Sequence, residues 1–251
     1  LDDIEESYGV QANDRGLRHL RLGTVRLPNC SGAVVSPQGL VLTAARCVRP
    51  FLPTGAGDSL RTEAFVADEQ EDERALDGLY AERVVGVKTV TAQVEREGRD
   101  AVQTRLQEEA GAEERVEIVP GAGGARHVAY TYRRYEDVRL AFSPDRAVTA
   151  LGRLGQPLTY PQHAWDVAVL RIYADGAPLQ TSDHLDLRIS GARPGDAVFA
   201  VGHPAETQRA ETHQQLALRR DLQLPERLSI VTDWTEALHR YVDTTAQAGR
   251  W

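Results

Sequence analysis

The sequence predicts a mainly-β fold: a barrel or sandwich of short strands, with an amphipathic helix set into it and a helical stretch at the C-terminal end. Three observations carry this expectation. Apolar and polar residues alternate in many short runs between residues 22 and 202, and turns containing Gly and Pro separate the runs. The period lengthens over residues 92 to 115, where Val94, Val102, Leu106 and Ala110 stand among Glu, Arg and Gln. It lengthens again after Pro225, where Leu228, Val231, Trp234, Leu238, Tyr241 and Val242 follow at three- and four-residue spacing.

Taken in order, residues 1 to 22 mix charged and small apolar groups without a period, and Leu22 to Arg26 then reads as the first strand. Gly32 to Ser36 and Leu40 to Thr43 form a hairpin across Pro37-Gln38-Gly39, and the chain runs on into Ala44-Ala45-Arg46-Cys47. Val48 to Ser59 is a Pro- and Gly-rich surface loop. Residues 61 to 80 carry Asp68, Glu69, Glu71, Asp72 and Glu73, which read as a solvated acidic loop or short helix. Val84 to Val87 and Thr89 to Thr91 are strand-like, and a solvent-faced helix covers 92 to 115. Val116 to Val119, His127 to Tyr132, Asp137 to Ala141, Asp166 to Tyr173 and Ala197 to Gly202 return to β alternation.

With 251 residues, 41% of them hydrophobic, the chain can bury the core of one large domain or two small ones. A formal charge of −8 speaks against a nucleic-acid face, and no apolar run is long enough for a membrane-spanning helix. The basic residues are dispersed, and all but Lys88 are arginine. There is no Met, so Leu1 is not an initiator; a cleaved signal peptide or a truncation would account for it. The apolar helical face after Pro225 needs a partner, so the chain is expected to end inside a larger protein. Between Cys30 and Cys47 the strand-turn-strand pattern can bring the two sulfurs within disulfide range. An oxidised pair would mean the periplasm or the exterior; the other reading is two buried thiols in a cytosolic core.

The run Cys30-Ser31-Gly32-Ala33-Val34-Val35-Ser36-Pro37-Gln38-Gly39-Leu40-Val41-Leu42-Thr43-Ala44-Ala45-Arg46-Cys47 resembles the first half-barrel of chymotrypsin-like serine peptidases. There a Leu-Thr-Ala-Ala-His-Cys segment presents the catalytic histidine. Three further blocks, Tyr132 to Leu140, Pro161 to Asp175 and Gly195 to Pro204, are similar to the bacterial dipeptidyl-peptidase seven/eleven family, and the similarity extends over most of residues 20 to 245. The resemblance implies a double β-barrel with a helical domain inserted after the first barrel. Residues 1–224 would be the first chymotrypsin-like barrel, with its helical insertion near 92–115. Residues 225–251 would begin the helical domain, and the second barrel would lie beyond Trp251. The same resemblance implies a Cys30–Cys47 disulfide and a periplasmic or secreted protein.

Carried over residue by residue, the family's catalytic aspartate falls on Asp166 and its general base on Arg46. A guanidinium stays protonated and offers donors but no acceptor, so Arg46 cannot take a proton from a serine hydroxyl. The family's nucleophile sits in a Gly-x-Ser-Gly turn of the second barrel, and no serine here lies in such a turn. Gly57-Asp58-Ser59-Leu60 imitates part of that motif in a Pro/Gly-rich loop without the following glycines, so Ser59 reads as a loop residue. The asparagine and tryptophan that grip the substrate's free amine fall on Pro157 and Leu158, neither of which offers a side-chain acceptor. The two acidic positions beside them become Leu154 and Gln156, so the field that attracts an amine is lost.

His163 precedes Asp166 by three positions and so points to the opposite side of a strand; the family carries a histidine there without using it as the base. His203, Glu206 and His213 have a loosely metal-like spacing on a turn and a polar segment, and no metal or cofactor is expected. Trp165, Trp234 and Trp251 read as packing residues.

The resulting expectation is a dipeptidyl-peptidase homologue that is catalytically inactive and holds a protein or peptide partner as a binding or scaffold protein. The alternative is an active dipeptidyl aminopeptidase acting on peptide N-termini, with its serine beyond Trp251 and Arg46 an introduced change. A third is an independent β-barrel domain with a trailing helix. In the old active site, Arg46 is expected to fork onto both carboxylate oxygens of Asp166.

Overall fold

Asn13 opens the first helix, α1 (Asp14–Leu22), its side chain accepting from the Gly16 amide at 2.8 Å, and Gly23 ends it. The reading of residues 1 to 22 as without a period is overturned, since Leu17 and Leu20 lie three apart on one side of this helix, and the strand expected from Leu22 instead begins after the Gly23 break. The strands follow as β1 (Thr24–Leu27), β2 (Cys30–Val34), β3 (Leu40–Thr43), β4 (Phe65–Val66), β5 (Arg74–Ala75) and β6 (Ala81–Thr89). They continue as β7 (Glu114–Gly121), β8 (Arg126–Tyr135), β9 (Val138–Ser143), β10 (Ala168–Ala174) and β11 (Ala177–Pro178). A short helix, α2 (Ala45–Val48), follows β3; α3 (Thr91–Glu97) and α4 (Arg99–Glu109) follow β6; and α5 (Arg146–Thr149) follows β9. The computed structural model describes residues 6, 8, 9, 13–54, 59–121, 124–149, 164–188, 190–200, 202 and 211–244.

Among those residues, eleven strands make one antiparallel sheet in the order β4-β9-β10-β3-β2-β1-β6-β8-β7, with β5 also on β9 and β11 on β10. β8 and β9 stand far apart in that order, yet only Glu136 and Asp137 join them. Two residues span at most about 10 Å, so the sheet must curl until β8 comes back to β9. One core confirms the curl: Val25, Val34, Val41, Ala81, Tyr135, Leu140, Leu170 and Ile172 all belong to a single buried cluster. Ala81 and the six larger side chains Val25, Val34, Val41, Leu140, Leu170 and Ile172 are fully buried, each of the six contributing roughly 1.5–3 kcal/mol of apolar transfer. The mainly-β barrel expected from the alternation is therefore the fold observed.

Three local expectations need correction. The helix over 92–115 is two helices, because Gly98 sits at φ +82° between α3 and α4, and the strand β7 already begins at Glu114. Ala197 to Ala200 forms no strand. Val198 and Phe199 are exposed there, and alternation makes a strand only where a sheet edge accepts it. The acidic run is not wholly solvated either: Glu73 is buried, accepting from the Arg171 Nε at 2.7 Å and from the Tyr173 hydroxyl at 2.8 Å.

The chain divides into two units, Leu1–His203 and Pro204–Trp251. In the second, Thr212 and Gln215 cap α6 (His213–Leu218) reciprocally, and a π-helical turn over Arg219–Gln223 leads into α7 (Leu224–Thr244). Pro225 has no N–H to give the Asp221 carbonyl, which accounts for the widened turn before it. Leu228, Val231, Leu238 and Tyr241 are exposed on α7. So is Trp234, which therefore does not pack as its residue type suggested. No described helix is long and apolar enough to cross a membrane.

Candidate functional site

The strand register itself builds the site. β10 pairs with β3 so that Ala168 lies opposite Thr43. Asp166, two residues before Ala168, and Arg46, three residues after Thr43, are thereby brought to the same end of the barrel although 120 positions separate them. In α2 the side chains of Ala45, Cys47 and Val48 turn into the core, which leaves Arg46 directed outward. The Cys30–Cys47 disulfide, with Cα atoms 5.9 Å apart, ties that helix to the start of β2. The two buried thiols of the other sequence reading are thus excluded.

Asp166 receives two donors from one residue. Its Oδ1 accepts from the Arg46 backbone amide at 3.0 Å, and its Oδ2 is bonded and ion-paired to Arg46 Nη1. The expected ion pair is present, but its geometry differs from the expected fork. The peptide amide of Arg46 already holds one oxygen, so the guanidinium meets only the other. The first turn of α2 explains this. Ala44 stands at its N-cap with no side chain to accept, and Asp166 supplies the missing acceptor from across the barrel. Burial is uneven: the Asp166 side chain is 10% exposed and that of Arg46 63%. The carboxylate is inside, and the guanidinium reaches from it into water.

Neighbouring contacts fix the loop that carries Asp166. The Trp165 amide donates to the Val148 carbonyl at 2.8 Å, and Thr149, buried at the end of α5, accepts from Arg49 Nη2 at 3.2 Å. Trp165 leans on Phe142 at 5.6 Å between ring centroids but is 60% exposed, a surface position rather than the packed one expected of it. On the outer face of β1, β2 and β3 a cavity of about 320 Å³ is lined mainly by Thr24, Gly32, Ala33, Leu42, Leu185 and Phe199. Nothing in the sequence pattern singled out this cavity, Arg49 or Thr149, since each depends on long-range pairing.

The other residues named from the sequence do not join this site. The Ser59 carbonyl accepts from the Thr62 and Glu63 amides in a short 3-10 turn, as a loop residue does. His213 begins α6 in the second unit. Among the described residues no three His, Cys, Asp or Glu side chains gather into a metal-binding group. Leu154, Gln156, Pro157, Leu158, His163, His203, Glu206 and Trp251 lie outside the described residues.

Comparison with known proteins agrees with the mainly-β fold. The chain is 25% identical over 222 residues to dipeptidyl-peptidase 7 of Phocaeicola vulgatus, covering 76% of this chain and 31% of that protein. It is 26% identical over 229 residues to the Asp/Glu-specific dipeptidyl-peptidase of Shewanella putrefaciens, covering 80% and 31%. The chain thus spans about a third of the length of these relatives. A crystal structure of Porphyromonas endodontalis DPP11 in an alternate conformation superposes with a TM-score of 0.55 at 26% identity, over 67% of this chain and 29% of that one. DPP11 in complex with the dipeptide Arg-Glu superposes at 0.60 with 24% identity, over 70% and 30%. The family model for Peptidase S46 runs over residues 1–250, so the barrel, its disulfide and the Arg46–Asp166 pair are those of a chain that belongs to the Peptidase S46 family.

Proposed function

We propose that this chain is the barrel of a dipeptidyl-peptidase homologue that does not cleave peptides and acts instead by binding a peptide or protein partner. One observation carries the reading: both oxygens of Asp166 are engaged by Arg46, the residue at the position of the family's base. In a serine triad the carboxylate orients an imidazole, and the imidazole takes the hydroxyl proton. Here the carboxylate is spent on a group with no acceptor lone pair. The guanidinium stands where a proton would have to be received, so no route leads from a serine hydroxyl through this site to Asp166. Substrate capture is weakened separately, because Pro157 and Leu158 replace the side chains that would hold a free amine.

The part left for the scaffold is recognition. The cavity beside β3 has room for a partner's side chain, and the exposed Arg46 and Trp165 offer a charged and an aromatic contact elsewhere on the barrel. A disulfide in a chain of this kind fits a periplasmic or secreted setting.

The test compares the natural full-length protein with its Arg46→His variant on Asp/Glu-type and hydrophobic dipeptidyl substrates. Neither is expected to release dipeptide, since restoring the imidazole leaves Pro157 and Leu158 unable to grip the amine. Activity in the variant alone would make Arg46 the sole lesion. Activity in both would overturn the reading.

A further inference from the structure

β7 ends the path of the sheet, and an end strand presents a row of unpaired N–H and C=O groups that another strand can join. This row is not left open. Val102 and Leu106 of α4 pack into a cluster with Val116 and Ile118 of β7, which seats the helix on the face beside the edge. Gln103 and Gln107, each one position further along the helix, curl over the edge. The Val116 amide donates to Gln107 Oε1 at 2.8 Å, and Gln107 Nε2 donates to the Glu114 carbonyl at 2.9 Å. The Ile118 amide donates to Gln103 Oε1 at 3.0 Å, and Gln103 Nε2 donates to the Val116 carbonyl.

A primary amide carries an N–H and a C=O side by side, as a peptide unit does. Two of them four residues apart on a helix therefore repeat a strand's donor-acceptor pattern along alternate residues of β7. The remaining outward amides are also closed to a partner. The Glu114 amide is held by the Gly111 carbonyl at 2.9 Å, and Pro120 has no N–H. Every outward amide of β7 from Glu114 to Pro120 is thus bonded or missing.

We infer that Gln103 and Gln107 are a strap: a surrogate strand that closes the β7 edge and keeps it from pairing, antiparallel, with β7 of a second copy. Glutamine is the residue that serves, because Leu would cover the edge without satisfying it and Glu would set a carboxylate against the carbonyl that the amide now satisfies. The seal is local to α4 and β7 and independent of the Arg46 site.

Hydrogen exchange at single amides tests the pairing in the intact chain. Gln107→Ala should speed exchange of the Val116 amide by about tenfold or more and leave Ile118 protected; Gln103→Ala should do the reverse. Such a crossover cannot come from loss of fold, which would expose both amides in both variants. The double Gln103→Ala, Gln107→Ala variant should release both amides in dilute solution and gain mass by light scattering as concentration rises, relative to the parent chain. Unchanged exchange in either single variant, or both amides released together, overturns the strap. Free amides in the double variant with no gain in mass overturns its role in preventing strand addition.

Discussion

The Arg46–Asp166 pair should respond unequally to removal of its two members. Asp166→Asn leaves the guanidinium with a side chain already 63% exposed, so the cation returns to water, and the new amide oxygen can still accept from the Arg46 peptide N–H. An exposed pair of this kind is worth under about 1 kcal/mol. Arg46→Ala strands a carboxylate that is only 10% exposed and keeps a single backbone donor. Leaving a mostly buried charged acceptor short of a partner costs about 1.5–3 kcal/mol. Asp166→Ala falls between them at about 0.5–2 kcal/mol, the usual value of a lost helix cap, since Ala44 cannot replace it. Urea unfolding of Asp166→Asn, Arg46→Ala and their double variant measures this, provided the slopes stay equal, and the Arg46→Ala cost should shrink once Asn stands at 166. Equal costs for the two single variants would refute the reasoning. So would a loss of about 3–5 kcal/mol from Asp166→Asn, the value for a cation left buried and unpaired.

Other outcomes follow from the same structure. The disulfide closes the loop from Cys30 to Cys47, so replacing both by Ser should cost about 3 kcal/mol, read as a lower urea midpoint that reducing agent no longer changes. Burial alone would raise the Glu117 carboxyl, but hydrogen bonds and charge from Arg115 and Arg26 outweigh it and hold the group below its ordinary 4.5. A pKa depressed in the folded state gives stability that is present above 4.5 and lost as pH falls through the folded value. Glu117→Gln should therefore flatten part of the decline in unfolding free energy on the acid side. An acid limb as steep as that of the parent chain would count against this.

Much of the barrel could be read from residue types. β3 and nearly all of β10, which frame the site, lie within the apolar runs Leu40 to Thr43 and Asp166 to Tyr173, short enough and β-branched enough to read as strands. Asp166 and Arg46 could be named from the motifs around them, but their juxtaposition depends on the register of Ala168 against Thr43, which no local pattern encodes. The Arg46 amide bond was hidden for a related reason. It exists because Ala44 leaves the first turn of α2 uncapped, a need visible only once that helix is formed. Gln103 and Gln107 read as a solvated helix face, since an amide that bonds a strand edge and one that bonds water look alike in sequence. The split at Gly98 was masked by apolar spacing that carries through it, whereas α1 was legible in the spacing of Leu17 and Leu20 between Asn13 and Gly23 and was missed because it is short and charge-rich.

The central claim is that Arg46 in the place of the base, locked onto Asp166, leaves the barrel without proton transfer. Dipeptide release by the natural full-length protein, followed over a wide pH range beside an Asp166→Ala control, tests it most directly. Protein and control should both stay at background at every pH, because the guanidinium of Arg46, bonded to Asp166, cannot take up a proton. Release above the control, rising with the pH profile of a general base, would contradict it.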